Sequence, residues 1–461
     1  MQDKDYKFVK IIEIPPSASR TIEGYSKGLG YKFETACADL IDNSLGASAS
    51  EIRIEIKLGS SSNPSFAYIF DNGKGMDLET LKEAMRLGTR KNYSSKTELG
   101  KYGLGLKTAS LSQTDTLTVI TRKAKKGGLF IARLDVGQIK KNDKWEIQLL
   151  DKKELETWAS RIIENQMTNQ KGTLILLEDL HLFKNLNEDQ AIDVFDKNEH
   201  ELRLHLGMVF HRFLKQKKIF INGSQIPAWD PFCEKEKTRK LGNLRISCHD
   251  QNGKKQTIVL KPYILPTEKE FSSKAAWEEA SGPKRWNSQQ GFYFYRKNRL
   301  LTSGGWANCD GRFEEHQKLL RISVDFPEKL DELVNLNINK MQANIPNEVK
   351  KEVQNKLVDW RRIAEARYRA KAQPKGPSKI KGRESLFKFS NGPNLLVKKT
   401  GKTISIEYPY KDTPKKISRL INSNKTNQTI SLLCLLLSNR KAKTIQEVIR
   451  EPRTILNMIT K

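Results

Sequence analysis

The chain has 461 residues, of which 37% are hydrophobic and 30% are charged. This composition is typical of a soluble globular protein of two or three domains and excludes a largely disordered chain. The formal net charge is +28, and such a field attracts polyanions, among which nucleic acid is the commonest inside a cell.

Cysteine usage and hydropathy indicate where the protein works. The five cysteines are scattered and lack a C-x-x-C pair, which indicates reduced thiols and excludes a disulfide framework or a zinc site. The first residues contain no apolar signal core, and the longest apolar run, residues 430–437, is too short to cross a bilayer. We therefore expect a cytoplasmic protein with no membrane partner.

The positive charge is concentrated near the C-terminus. Residues 361–461 contain 24 Lys and Arg against 6 Asp and Glu, so this part carries +18 of the total. A solvated, solubilising surface is one interpretation, and contact with the phosphates of nucleic acid is the other. We favour the second and expect the basic C-terminal region to bind double-stranded DNA.

The predicted elements of the N-terminal part begin with a helix. Residues 31–45 are predicted to be helical because Ala36, Leu40 and Ile41 form an apolar stripe. Residues 51–58 alternate strictly between polar and apolar, as in a strand buried on one face. Further predictions are strands at 66–70, 116–122, 129–136 and 172–178, a short helix at 78–86, and a mobile lid at about 88–105.

The later elements mix helices and strands, which indicates an α+β architecture. They are a helix at 199–215, strands at 218–222, 244–248, 257–264, 291–296 and 319–326, a charged helix at 347–372, strands at 395–399 and 403–408, and helices from about residue 428. Residues 373–379 have the composition of a linker.

The first of three motifs is A-D-L-I-D-N-S at residues 38–44. Asp39 and Asn43 are four residues apart and so share one face of the predicted helix. Nucleotide hydrolysis needs a carboxylate to deprotonate water and an oxygen ligand for Mg²⁺ beside the phosphates, and this pair supplies both. Asp42 is the alternative base, and a plain polar helix face is the alternative interpretation of the motif.

The second motif, D-N-G-K-G-M, follows an apolar strand. A carboxylate at the end of a strand, here Asp71, can accept a hydrogen bond from an exocyclic amine such as that of adenine. Gly73 and Gly75 allow the backbone to approach a flat ring. An ordinary Asn-Gly turn is the alternative interpretation.

The third motif, G-K-Y-G-L-G-L-K-T-A, is rich in glycine. Gly100, Gly103 and Gly105 precede a helix whose first turn would present N–H groups to phosphate, and Lys107 adds a positive charge there. The spacing does not match G-x-x-x-x-G-K-[ST], which excludes a Walker-type site, and it does not match G-x-G-x-x-G, so a Rossmann-type site fits poorly. A flexible glycine loop is the alternative.

In this order and spacing, the three motifs resemble the N, G1 and G2 boxes of the GHKL ATPases, the superfamily of gyrase B, the heat-shock chaperone, histidine kinases and MutL. The resemblance covers roughly residues 10–345 and is closest to MORC-like bacterial ATPases, some of which come from restriction and phage-defence settings. It implies a Bergerat-type α/β sandwich that binds ATP with Mg²⁺.

The resemblance also implies a role for individual residues. Asp39 falls at the general base, Asn43 at the magnesium ligand, and Lys340 at the lysine that reaches the γ-phosphate. The other implied ATP-binding residues, which surround the adenine or the phosphates, are Asp71, Gly73, Gly75, Met76, Gly100, Gly103, Leu104, Gly105, Lys107 and Thr173.

Four segments follow from the resemblance and the composition. They are a GHKL ATP-binding domain at residues 1–184, a transducer-like α+β domain at 185–346, a charged helix and linker at 347–379, and a small basic C-terminal domain at 380–461.

The expected function is that of an ATP-dependent clamp. It would bind ATP with Mg²⁺, hydrolyse it slowly, form a homodimer on ATP and act on DNA in phage defence or DNA processing, with partner subunits encoded alongside. Slow turnover is expected because Asp39 is one methylene shorter than the glutamate found in much of the superfamily. The alternative is a nucleotide-sensing scaffold that binds ATP with little turnover and recruits partner proteins.

Overall fold

The computed structural model describes residues 14, 16–27, 30–60, 63–88, 105–125, 127–334 and 343–370, together with the backbone of three strands within 383–407. The chain forms two compact units, Met1–Ala372 and Gln373–Lys461. The described residues of the first unit form two sheets, one in a first lobe (residues 16–225) and one in a second lobe (residues 239–369).

The first lobe is built on an eight-stranded sheet. Its elements, in chain order, are α1 (Ala18–Lys27), α2 (Phe33–Gly46), β1 (Glu51–Lys57), β2 (Phe66–Asp71), α3 (Leu78–Met85), α4 (Gly105–Leu111), β3 (Thr116–Arg122), β4 (Phe130–Asp135), α5 (Val136–Asn142), β5 (Gln148–Leu149), α6 (Thr157–Met167), β6 (Gly172–Glu178), α7 (Glu188–Val209), β7 (Lys218–Ile221) and β8 (Ser224–Gln225). The strand order is β5-β4-β3-β6-β2-β1-β7-β8. The β1–β7 pair is parallel and the other pairs are antiparallel.

The alternation of the sequence explains how this sheet packs. Ile52, Ile54 and Ile56 of β1 are buried in one core with the apolar residues of α2, α4 and α7. Phe70 of β2 lies in a second core, on the opposite face, together with Ile163 of α6. Because helices cover both faces, the lobe is an α/β sandwich, and the expected α+β class is confirmed.

One expected boundary cuts through this sheet. Strand β7 comes after residue 184, where we placed the end of the first domain, yet it pairs with β1. The connection to it is α7, which starts at Glu188 and not at residue 199. It starts there because Asn187 and Gln190 form a reciprocal capping box. The short run K-I-F-I correctly predicts the strand β7, but it does not show which strand β7 pairs with. We therefore placed β7 in the following domain.

The second lobe is a six-stranded sheet covered by a long helix. Its elements are β9 (Arg239–Lys240), β10 (Leu244–His249), β11 (Lys255–Ile264), α8 (Lys274–Ala280), α9 (Arg285–Ser288), β12 (Gly291–Arg296), β13 (Arg299–Ser303), β14 (Leu320–Asp325) and α10 (Asn347–Arg369). The strand order is β10-β11-β14-β12-β13, and β9 also pairs with β11. Helix α10 buries Val353, Leu357 and Trp360 in the core of this lobe.

The β12–β13 hairpin has the tightest type of turn. Its two loop residues, Lys297 and Asn298, have φ angles of 48° and 68°. Positive φ at both positions is the type I′ geometry, whose twist matches that of the two strands it joins. The turn therefore fixes the direction of the residue that follows it, Arg299.

The described part of the second unit is a three-stranded antiparallel sheet of β15 (Arg383–Phe387), β16 (Leu395–Thr400) and β17 (Thr403–Glu407). The sequence predicts β16 and β17 but not β15, because R-E-S-L-F lacks β-branched residues. The helices predicted from about residue 428 lie outside the described residues, as do residues 89–104 of the expected lid. Within the described part of the chain, no helix is long and apolar enough to cross a membrane.

Candidate nucleotide-binding site

A buried carboxylate lies where β2 ends. Asp71 is only 4% exposed, and its two oxygens accept hydrogen bonds from the Ser44 hydroxyl (3.0 Å) and the Gly73 N–H (2.8 Å). Burial raises the pKa of Asp71 to about 6, although both hydrogen bonds act in the opposite direction. Ser44 was not predicted as a site residue, although its position one residue after Asn43 in the first motif is a signal that could have identified it.

The backbone after Asp71 needs glycine for steric reasons. A Cβ atom on Gly73 would lie 2.7 Å from the Asp71 carboxylate and 2.9 Å from the Ala47 carbonyl oxygen. Gly75 has a φ of +62°, and a Cβ atom there would lie 2.1 Å from the Arg122 carbonyl oxygen. The motif therefore forms a turn packed tightly against its neighbours, and the Asp71 carboxylate lies at its base.

Two threonines from neighbouring strands complete this end of the site. Thr173 of β6 lies opposite Asp71 in the sheet register. The Thr121 hydroxyl, from β3, accepts a hydrogen bond from the Met76 N–H (2.9 Å) and lies 3.2 Å from the Thr173 hydroxyl. The structure thus brings Asp71, Met76 and Thr173 together. Thr121 was missed, since a threonine inside a strand gives no local signal of function.

Helix α2 carries the first motif, and its polar residues differ in burial. Asn43 is exposed, whereas Asp39 is 6% exposed and Asp42 2%. The Tyr31 hydroxyl donates to one oxygen of Asp39 at 2.8 Å. Burial and the neighbouring Asp39 carboxylate raise the pKa of Tyr31, so its hydroxyl stays protonated and continues to donate.

The second lobe contributes an arginine to these carboxylates. The Arg299 Nε lies 2.8 Å and 2.7 Å from the two oxygens of Asp42, and its Nη2 donates to Asp39 at 3.2 Å. Arg299 is separated from Asp42 by 257 positions in the chain. No local pattern links residues so far apart, which is why the sequence did not predict Arg299.

Helix α4 (Gly105–Leu111) lies in the third motif, and Gly105 is its first described residue. The side chain of Lys107 is buried, and its amine donates to the Ala84 carbonyl oxygen at the end of α3 (2.9 Å). Burial lowers the pKa of Lys107 to about 8. This contact joins α3 to α4, and the phosphate contact of Lys107 stays a prediction.

The remaining implied site residues lie outside the described residues. They are Gly100, Gly103, Leu104 and Lys340, so their expected contacts with phosphate stay predictions.

The donors present fit a magnesium ion that is held largely by phosphates. Among the described residues, no group of three or more His, Cys, Asp and Glu side chains could hold a metal ion. Mg²⁺ commonly takes one or two protein oxygens, with phosphates and water supplying the rest. The exposed amide of Asn43 can supply one such oxygen.

Comparison with known proteins gives a family for this part of the chain. A family model described as histidine kinase-, DNA gyrase B-, and HSP90-like ATPase matches residues 31–173. Among solved structures, the crystal structure of the N-terminal domain of a DNA repair protein is 17% identical and has a TM-score of 0.40, with the match covering 76% of this chain and 98% of that one. No curated protein is significantly similar to the chain.

The family match includes α2 with Asp39 and Asn43, the end of β2 with Asp71, and Thr173. The resemblance seen in the three motifs is therefore confirmed. Residues 31–173 match the histidine kinase-, DNA gyrase B-, and HSP90-like ATPase family.

Proposed function

We propose that this chain binds ATP with Mg²⁺, hydrolyses it slowly, and acts as an ATP-dependent clamp on double-stranded DNA. The observation that carries the proposal is the buried Asp71 carboxylate, which ends a strand, is oriented by two hydrogen bonds and lies beside a tight glycine turn. This arrangement lies within residues matched by an ATPase family.

Asp71 would recognise the amine of adenine. Because its pKa is about 6, the carboxyl is mostly ionised at pH 7 and can accept a hydrogen bond. Ser44 and Gly73 each occupy one lone pair of the carboxylate and leave others for a ligand. Guanine presents an acceptor oxygen where adenine presents its amine, so we expect the site to prefer adenine nucleotides.

Asp39 would act as the general base. Its carboxylate would take a proton from water while the water oxygen bonds to the γ-phosphorus and the bond to the β–γ bridging oxygen breaks, which releases ADP and phosphate. Mg²⁺, when bound, would neutralise charge on the phosphates, with Asn43 as its protein ligand. Lys340 would contact the γ-phosphate. Turnover would be slow because Asp39 is short and is already bonded by Tyr31 and Arg299.

The proposed binding of DNA is based on the charge of the C-terminal region. Residues 361–461 carry +18 of the +28 total charge, and phosphate neutralisation is the main source of affinity for DNA. ATP would drive homodimerisation and close the protein around DNA, and hydrolysis would reopen it. Phage defence or DNA processing, with partner subunits, is the setting that we propose.

A nucleotide-sensing scaffold is the second candidate. It is favoured by the contacts of Asp39, whose two carboxylate oxygens accept from Tyr31 and Arg299 respectively. A base held in this way could leave ATP bound for long periods, so that the bound state itself recruits partner proteins.

ATP turnover with and without double-stranded DNA, across a salt series, tests the proposal. We expect DNA to raise the rate and the effect to fall steeply as salt increases, because each phosphate contact releases counterions. The Asp39→Asn variant supplies the background rate. ATP binding without turnover at any salt concentration would contradict the clamp and leave the scaffold.

A further inference from the structure

A buried ion-pair cluster joins the two lobes at the ATP site. Asp39 and Asp42 are three residues apart on α2, and both are almost fully buried. Two carboxylates in such a place repel each other and lose hydration, and a cation that contacts both of them offsets this electrostatic cost. Arg299 contacts both of them and is itself buried.

Other titratable groups also face this cluster. His205 approaches from α7, and burial lowers its pKa to about 4, with the charge of Arg299 acting in the same direction. His205 is therefore neutral at pH 7. Lys32 and Lys284 also lie within electrostatic range of His205, but the guanidinium of Arg299 is the group that donates to both carboxylates.

The hairpin that presents Arg299 is held firmly on its other side. Arg296, just before the turn, donates to Asp331 at 2.9 Å, and both side chains are buried. Lys297, in the turn, pairs with Glu328. These two acids stand nine and twelve positions before Lys340 in the sequence. The β12–β13 hairpin thus connects α2 with the stretch of chain that leads to the implied γ-phosphate lysine.

We propose that Arg299 is a positioning residue, which holds the carboxylates of Asp39 and Asp42 in place and couples helix α2 to the β12–β13 hairpin of the second lobe. The proposal rests on the proposed function in one respect, namely that Asp39 is the base. When the second lobe moves, Arg299 moves with its hairpin and changes the orientation of Asp39. Nucleotide binding at one lobe and movement of the other are linked through this side chain.

Kinetics of Arg299→Met and Arg299→Lys test the positioning role. We expect kcat of Arg299→Met to fall by about tenfold or more, with little change in KM for ATP. Arg299→Lys keeps the charge and should restore part of kcat, which a loss of packing alone would not predict.

Arg212→Met is the matched control. Arg212 also pairs with an aspartate of the second lobe, Asp325, and stacks on Tyr295, but none of its contacts within the described residues is with the α2 carboxylates. We expect this variant to lose stability and to keep the wild-type kcat per folded molecule. A loss of kcat in Arg299→Met that Arg299→Lys does not restore, or an equal loss in Arg212→Met, would reduce Arg299 to a structural residue and overturn the proposal.

Hydrogen exchange tests the coupling without requiring turnover. We expect ATP to slow amide exchange in the hairpin, residues 291–303, in the wild type and in Arg212→Met but not in Arg299→Met. A response that persists in Arg299→Met would overturn the coupling while leaving the proposed ATPase intact. If the wild type binds ATP without hydrolysing it and the exchange response still depends on Arg299, the proposed hydrolysis is contradicted and the proposed coupling is supported. Absence of ATP binding would overturn both.

Discussion

The two ends of the nucleotide site are built in different ways. At the adenine end, Asp71, Gly75 and Thr173 lie on adjacent strands of one sheet or in the turn that follows, and all their described contacts come from the first lobe. At the hydrolytic end, Asp39 and Asp42 lie on a helix of the first lobe, yet their charge is compensated by Arg299 from the second.

This difference separates binding from turnover. In the proposed site, recognition of the adenine base would need one folded lobe, whereas the orientation of Asp39 would depend on contact between two lobes. Substitutions at the adenine end should therefore change affinity or the stability of the first lobe, and substitutions at the hydrolytic end should change kcat. The four variants below test this division.

Asp39→Asn should have the largest effect. Loss of the general base is expected to lower turnover by about 10²- to 10⁴-fold and to change ATP affinity little, because the adenine contacts lie elsewhere. Phosphate release and nucleotide titration measure the two quantities. Asp42→Asn is the comparison: if it abolishes turnover while Asp39→Asn retains it, Asp42 is the base.

Gly75→Ala should disrupt the adenine end by destabilising the first lobe. The new Cβ would lie 2.1 Å from the Arg122 carbonyl oxygen at a φ of +62°. We expect the free energy of unfolding to fall by about 2–4 kcal/mol, from overpacking and left-handed strain together. Urea denaturation measures this.

Gly253→Ala isolates the strain alone, since Gly253 has a φ of +71° and nothing within 4 Å of the added atom. We expect it to cost about 1–2 kcal/mol. Equal losses of unfolding free energy in the two variants would mean that the turn at Gly75 shifts to accommodate the new Cβ atom at no further cost.

Asp71→Asn should weaken ATP binding by about 10- to 100-fold, the range for losing a hydrogen bond to a charged group. Turnover at saturating ATP should change much less. Calorimetric titration measures the affinity. Asp77→Asn is the control, because Asp77 is a surface acid of the same segment that caps α3 and pairs with Lys123. An equal loss of ATP affinity in both variants would mean that Asp71 does not bind the adenine amine.

The pKa of Asp71 adds a dependence on pH. The ionised carboxylate accepts a stronger hydrogen bond from the adenine amine than the neutral carboxyl does, so affinity should rise as the pH rises through about 6. The ratio of wild-type to Asp71→Asn affinity cancels the titration of ATP itself. The contribution of Asp71 to stability should depend on pH in the opposite direction. The folded-state pKa is above the ordinary value near 3.8, so the contribution of Asp71 is full below that value and is lost as the pH rises through 6.

The sequence predicted the residues of the adenine end better than those of the hydrolytic end. Asp71, Gly73, Gly75 and Thr173 occur in local motifs or strands, and the structure places them side by side. Arg299 could not be predicted, because a residue 257 positions from its partner has no spacing to detect.

Side-chain direction was also beyond the sequence. The third motif predicted a helix around Lys107, and residues Gly105–Leu111 are helical, but the direction of the Lys107 side chain depends on α3, which packs against it. Ser44 and Thr121 were passed over because a hydroxyl residue acquires its role from neighbours that the fold brings to it. In each case tertiary contacts, and not local periodicity, decide the role.

Lys107→Met should have the smallest effect, and it tests where the buried amine acts. The amine donates to the Ala84 carbonyl oxygen, so we expect stability at pH 7 to change by no more than about 1 kcal/mol, since a lost hydrogen bond is offset by removal of a buried charge.

The pH dependence of Lys107→Met identifies that buried charge. In the folded wild type, burial lowers the pKa of Lys107 from 10.5 to about 8. Stability should therefore rise between these values and fall as the pH decreases through 8, and Lys107→Met should lack this slope in urea denaturation. ATP affinity should fall by less than about tenfold, as for a screened single charge. A larger loss of affinity with no loss of slope would place the amine on the phosphates of ATP and not on α3.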